Sequence, residues 1–407
     1  MAEKPMEVVL PDGSARLVEP SCSGSPREGS LEPTSRDFKF FVQPGNPNRI
    51  LFFLDGGGAC WDATTCVTLP FVGQSIHQEA INETAEALDS AGGVFDEDNP
   101  DNPYANYTKV FVPYCTGDIH WGSKDTTYTA VLPLVGETEW TIHHRGVDNL
   151  LATLHLLNTE VMKNRRKPLV DFASAKDITV TGSSAGGYGA TLAYPYIAEF
   201  APDARRLNLI SDAAVGVLTE GFFQSVIYNT EMPGSSSWAI AENLPPWVPA
   251  FASPDSFLQA VANTAQPTPL PGTNVVTGFQ PALFQALSNY RPDARLSSIT
   301  TNADIVQVQF FGATLPPGAL TNLQTIGLWY QVAAEMLSVT AELVPNYEYL
   351  LDNGTCHTFL SDGSCSLFDM GATGVSAADW ITQMIKPGNR GWRTRDAGPF
   401  VPPAPAG

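Results

Sequence analysis

The sequence predicts an α/β fold built on a mostly parallel central sheet. Short apolar runs closed by glycine or a turn alternate with longer stretches at helical period. One run, "DITVTG" (177–182), passes directly into "SAGGYGATLAYPYIAEF", a strand followed at once by a small-residue helix. Of the 407 residues, 43% are hydrophobic and only 16% are charged, which is ample material for a large core.

Taken in order, residues 1–36 are rich in Pro, Ser and Gly and predict an irregular arm pinned by Cys22. "FKFFVQPG" (38–45) and "RILFFLDGGG" (49–58) predict neighbouring strands around a Pro/Asn turn, and "KVFVPYC" (109–115) a third. "RGVDNLLATLHLLNTE" (145–160) carries leucines at helical spacing, and "LNLISDA" (207–213) reads as the strand after the 184–200 helix. Residues 228–275 are rich in Pro, Ser and Trp without clear period, and 228–290 is expected to form a loop-rich cap or lid. Within it, Trp238 and Trp247 are candidates for gripping an uncharged polymer. "RLSSIT" (295–300) is weak strand material and "LQTIGLWYQVAAEMLSVTAEL" (323–343) a strong helix. "YEYLLD" (347–352) reads as the last strand, before a C-terminal helix around 375–386. A single catalytic domain over 37–390 and a Pro-rich tail over 391–407 are expected. No apolar run approaches the ~18 residues needed to span a membrane.

The formal net charge is −20. Such a surface repels nucleic acid and anionic membranes at long range, so neither is an expected partner. It also works against a polyanionic substrate. The six cysteines are even in number and include two close pairs. This predicts three disulfides and a secreted or periplasmic protein. Spacing alone does not fix the pairing; the expected one is Cys60–Cys66, Cys356–Cys365 and, by elimination, Cys22–Cys115. No C-x₂-C or H-x₃-H spacing occurs, so neither metal nor cofactor is expected. "MAEKPMEVVLPDG" has no apolar h-region, and an exported form is expected to be the mature chain.

Glycine register singles out one of two adjacent serines in "VTGSSAGGYGA" (180–190). A nucleophile elbow needs small residues two positions either side, because a sharp strand-to-helix turn crowds the backbone there. Centring on Ser184 places Gly182 and Gly186 at those positions; centring on Ser183 would place Thr181 and Ala185 there. Ser184 is therefore the candidate nucleophile. The backbone N–H of Ala185 is one candidate oxyanion donor, and Gly57 and Gly58 of "FFLDGGGACW" are the others. The chain order serine, acid, histidine leaves His357 in "LLDNGTCHTF" as the base, since the other five of six histidines precede Ser184. Asp304 and Asp212 both follow strand-like runs. The acid normally lies one strand before the histidine, which favours Asp304 and leaves Asp212 as a structural group and runner-up. Trp61, His120 and Trp121 follow sheet-end loops and are candidate pocket walls.

Five segments then occur in order between about residues 36 and 386: "LDGGGACWDATTC", "YCTGDIHWG", "TGSSAGGYGA", "NADIVQ" and "GTCHTF". Together they resemble the pectinacetylesterase/Notum-type carboxylesterases. The resemblance implies a modified α/β-hydrolase fold, a Ser184–Asp304–His357 triad, an oxyanion hole at Gly57, Gly58 and Ala185, and metal-independent ester hydrolysis. Gly58 stands where animal Notum-type members carry tryptophan, so their fatty-acylated protein substrate is not carried over. The expected function is a secreted serine esterase that deacetylates a polysaccharide such as pectin. The alternatives are a polyester or polyhydroxyalkanoate depolymerase, a general carboxylesterase on neutral esters, and a catalytically inactive secreted binding module.

Overall fold

The computed structural model describes residues 5–26, 32–67, 77–81, 92–132, 136–159, 170–229, 235–266, 274–316, 318–361, 364–388 and 391–401. The chain divides into two compact units. The first comprises Met1–Leu88, Tyr107–Arg205 and Gln224–Pro245, and the second Asp89–Asn106, Arg206–Phe223 and Pro246–Gly407.

In the first unit, strand Asn46–Leu54 lies between Tyr107–Val112 and Asp177–Ser183, parallel to both. Its last five residues are all buried, as its unbroken apolar run requires of a strand covered on both faces. Phe41–Gln43 pairs antiparallel with Tyr107–Val112. The runs read as neighbours are thus separated by the third strand. The physical reason lies in packing: Phe111 sits between Phe41 and Phe53, with ring centroids 6.3 and 5.9 Å away. Helix Ala185–Phe200 packs on this sheet, and helix Gly146–Thr159, which contacts strands Met6–Val9 and Ala15–Val18, buries Leu150, Leu151, Leu154 and Leu157.

Two hairpins of this unit were not expected. Within the arm read as irregular, Met6–Val9 pairs antiparallel with Ala15–Val18. Lys124–Leu132 pairs with Gly136–His144 over nine residues. The second hairpin is rich in Thr and weakly apolar, so its buried face rests on a few side chains. Tyr128, Trp140 and Ile142 pack there against Cys60 and Cys66.

In the second unit, Arg206–Asp212, Arg295–Thr301, Tyr347–Asp352 and Arg395–Asp396 form consecutive parallel strands. Helix Asn322–Leu343 starts on a Thr321/Gln324 capping box. Its buried residues Trp329, Val332, Ala333, Met336, Leu337 and Thr340 follow the helical period of one face. The stretch expected as a cap contains regular structure: Pro254–Thr264 begins on a Ser253 N-cap, and Phe279–Tyr290 is largely buried. Phe257 meets both Phe251 and Phe279 edge-on, at 5.4 and 6.1 Å. Trp238, read as a surface grip, is buried and donates its indole N–H to the Cys60 carbonyl, so it cannot hold a polymer. The tail is docked where it is described: Asn353 exchanges two hydrogen bonds with the Val401 backbone. Residues 402–407 lie outside the described residues.

The disulfides are Cys22–Cys115, Cys60–Cys66 and Cys356–Cys365, as expected. Among the described residues, no helix is long and apolar enough to cross a membrane.

Gly327 lies exposed inside the longest helix, and a Cβ there would meet nothing within 4 Å. Gly327→Ala should therefore raise stability by roughly 0.5–1 kcal/mol, read as a higher urea midpoint.

Candidate functional site

The turn carrying the candidate nucleophile begins with a fully buried strand, Asp177–Ser183, and ends in the helix at Ala185. Ser184 sits between them at φ 57°, ψ −123°, a left-handed conformation that a non-glycine residue adopts only under tertiary constraint. That constraint is visible in the glycines. A Cβ at Gly182 would overlap the carbonyls of Gly186 and Leu54, and one at Gly186 would overlap the Leu54 carbonyl. The turn is therefore pressed against the end of the adjacent strand with no space for a side chain on either side.

The glycine loop packs on the same turn. A Cβ on Gly56 would lie 2.7 Å from the Ser183 carbonyl oxygen and 3.0 Å from the Ser184 Cβ. Gly57 and Gly58 have φ of 153° and 78°, open to glycine and strained for other residues. Gln78 donates its backbone N–H to the Gly57 carbonyl at 2.7 Å, so that oxygen is held by its own partner. Gly57, Gly58 and Ala185 all lie within this one unit.

Of the candidate wall residues, the structure places His120 and Trp121 in the interior, so neither can line an open pocket. His120 Nε2 bonds the Asp55 carbonyl at 2.9 Å, and its ring fills the space that a Cβ at Gly189 would need. Trp121 donates to the Tyr188 carbonyl at 2.7 Å. Both therefore brace the glycine loop and the helix behind Ser184. Trp61 keeps its side chain partly exposed.

Sequence reasoning also missed Asp118, the centre of the "YCTGDIHWG" segment. Its buried carboxylate accepts from Thr116 Oγ, from His120 N–H and from Gly146 N–H, the last opening the 146–159 helix. Burial pushes its pKa up to about 6. The only available signal was an aspartate in a Gly-rich turn.

The second unit holds the candidate acids and the candidate base. Asp304 is fully buried and caps helix Ile305–Thr314, accepting the N–H groups of Val306 and Gln307, both at 3.0 Å. His357 Nδ1 donates to the same carboxylate at 2.8 Å. Gln307 Nε2 donates to Asp304 Oδ2 and to Thr300 Oγ1, while its Oε1 accepts from Val215 N–H. The amide, in the first turn of the helix that Asp304 caps, thus fixes the carboxylate plane. His357 Nε2 is buried and has no hydrogen-bond partner among the described residues.

The loop carrying His357 is tied on several sides. The Cys356–Cys365 disulfide closes it, Ser364 exchanges hydrogen bonds with the His357 backbone, and Thr301 Oγ1 donates to the Cys356 carbonyl. Asp212 accepts from the N–H groups of Phe359 and Leu360 at 2.8 and 2.9 Å. The two candidate acids therefore have distinct roles: Asp304 meets the imidazole, and Asp212 meets the backbone two and three residues beyond it.

The sheets are mostly parallel and flanked by helices, with a serine strained on a strand-to-helix turn. This is an α/β-hydrolase-like fold. Residues 39–228 match the pectinacetylesterase family model, which supports the pectinacetylesterase/Notum-type assignment made from the motifs. That family implies carboxylic ester hydrolase activity and an ester substrate. The segments bearing Asp304 and His357 lie beyond the matched residues. No curated protein matches the chain.

Gly182→Ala should cost about 1–3 kcal/mol or more, because its Cβ meets backbone that cannot move aside. A urea midpoint equal to that of the parent chain would contradict the crowding argument.

Stability should also fall in acid. Burial lowers His77 and His120 to about 4 and His144 to about 3. Their unfolded values lie near 6.5, so the unfolded chain binds more protons between those limits. Their stability contribution is complete above about pH 6.5 and is lost as pH falls towards 4. Asp118, raised to about 6, acts in the opposite direction but is one group against three. The urea midpoint should accordingly drop between pH 7 and pH 4.5, and the drop should shrink in His144→Gln.

Proposed function

We propose that the chain is a serine esterase that deacetylates a polysaccharide, with Ser184, His357 and Asp304 as its triad. The observation that carries this reading is the His357–Asp304 pair, in which Nδ1 is bound to a buried carboxylate and Nε2 has no partner among the described residues. An imidazole held in that tautomer is a base looking for a proton donor. Ser184, the residue whose strained turn exposes its oxygen, is the donor we assign.

In the proposed reaction, His357 Nε2 takes the Ser184 hydroxyl proton as Oγ attacks the ester carbonyl. Asp304 keeps the ring oriented and stabilises its cationic form. The N–H groups of Gly57, Gly58 and Ala185 receive the oxyanion. His357 then returns the proton to the leaving alcohol, and water hydrolyses the acyl-enzyme by the same path. Trp61 is proposed as a wall of the pocket. The reading requires both units, so residues 37–390 are proposed to act as one catalytic domain. Three disulfides fit a protein that works outside the cell.

A second reading within the esterases rests on the charge of −20, which disfavours a polygalacturonate chain and favours a neutral ester.

Ser184→Ala should abolish turnover of p-nitrophenyl acetate, by at least ~10³-fold, with the fold intact by circular dichroism. Asp304→Asn should lower kcat by about 10³–10⁴-fold. Undiminished activity in Ser184→Ala would overturn the triad. Comparing acetate release from acetylated pectin, acetylated xylan and a neutral polyester distinguishes the two substrate readings. Polysaccharide preference supports the first and polyester preference the second.

A further inference from the structure

Behind the glycine loop, the Cys60–Cys66 disulfide is flanked by two buried histidines that the proposed reaction does not use. His77 Nε2 lies 3.8 Å from Cys60 Sγ. The ligand-capable atoms of Cys60, Cys66 and His144 lie within 4.8 Å of one another. In a tetrahedral site with metal–sulfur and metal–nitrogen bonds near 2.3 and 2.0 Å, neighbouring ligand atoms are roughly 3.3–3.8 Å apart. The His77–Cys60 separation is already at the edge of that range, and the two sulfurs, bonded in the disulfide, have to part to reach it.

The histidines are also oriented as metal ligands usually are. His144 Nδ1 bonds the Thr116 carbonyl, leaving its Nε2 turned inward, and His77 turns its Nε2 towards Cys60 Sγ. Nε2 of His144 meets an exchangeable hydroxyl, Tyr128 Oη at 2.9 Å, and Nε2 of His77 meets another, Ser25 Oγ at 3.1 Å, beside Cys60 Sγ. The surroundings are apolar and include Val67, Trp140 and Ile142.

We propose that Cys60, Cys66, His77 and His144 form a zinc site when the Cys60–Cys66 disulfide is reduced. With a phosphine as reductant, the sulfur–sulfur bond breaks, the phosphine becomes its oxide by taking oxygen from water, and two thiols form. Zinc then displaces two thiol protons and gains two thiolates and two imidazoles. The four ligands come from both sides of the glycine loop: Cys60 bonds Gly117 through its N–H, and His77 pairs with Gly58. The metal would therefore clamp the same segment that the disulfide clamps, in a chain kept under reducing conditions.

The test uses the full chain, reduced by a water-soluble phosphine and titrated with cobalt(II) as a spectroscopic probe for zinc. One cobalt per chain should bind, with thiolate charge-transfer and tetrahedral d–d bands that zinc abolishes, and the oxidised chain should show none. His77→Ala and His144→Ala should each weaken binding at least tenfold. A Cys356→Ser/Cys365→Ser variant should bind as the parent does, which covers the case in which Cys60→Ser/Cys66→Ser fails to fold. The proposal is overturned by bands that survive in Cys60→Ser/Cys66→Ser or are indifferent to both histidine substitutions. It is equally overturned if the reduced chain with metal shows no bands, whether folded or unfolded by circular dichroism.

Discussion

A backbone contact governs the half of the protein that carries Ser184. The Leu54 carbonyl, at the end of one strand, occupies the space where side chains at 182 and 186 would stand. Two glycines are therefore obligatory, and between them Ser184 is held at a positive φ that it would not otherwise adopt. The same approach explains the next layer. Gly56 must also lack a side chain, because Ser183 and Ser184 lie against it, and the glycine loop is thereby fixed beside the turn. Asp55 enters that loop and His120 binds its carbonyl, so an interior histidine supports the geometry of the loop without touching a reacting atom.

In the second unit the corresponding centre is a carboxylate. Asp304 is buried and receives hydrogen bonds from two backbone amides, a glutamine amide and an imidazole. Burying a carboxylate is costly unless its lone pairs are satisfied, and here every partner is a donor. The helix that begins at Ile305 adds the favourable end of its dipole. Asp212 uses the same principle on the backbone of the histidine loop, and the disulfide closes that loop from its other side.

Much of this was legible in the sequence where chemistry imposes a pattern. The elbow could be centred on Ser184 because crowding restricts residue type at fixed offsets. His357 could be chosen as the candidate base by chain order, two disulfides by their close cysteine pairs and the third, Cys22–Cys115, by elimination. Strand neighbours were less legible: Phe41–Gln43 and Asn46–Leu54 are both apolar and both beside a turn, and only the aromatic packing on Phe111 decides that they are not adjacent. The Lys124–His144 hairpin was missed because threonines dominate one strand and burial falls on few positions. Trp121, His120 and Trp238 show a different failure. An aromatic residue near a loop end suggests a pocket, yet each of these makes a hydrogen bond to a backbone carbonyl that only the folded chain brings within reach.

That failure suggests how the histidine proposed as the base differs from the interior ones. His144 has both ring nitrogens occupied, by a carbonyl and a phenol, and His120 is anchored on a carbonyl. Burial holds both rings neutral at physiological pH, where they act as fixed dipoles. His357 differs in kind. One nitrogen faces a carboxylate, and the other has no partner among the described residues. A ring arranged in this way can accept a proton and hold it for the lifetime of an intermediate, whereas a ring bonded at both ends to neutral groups would first have to break a contact. The assignment of His357 as the base therefore rests on the difference between its two nitrogens as well as on its place after the last long strand of the chain.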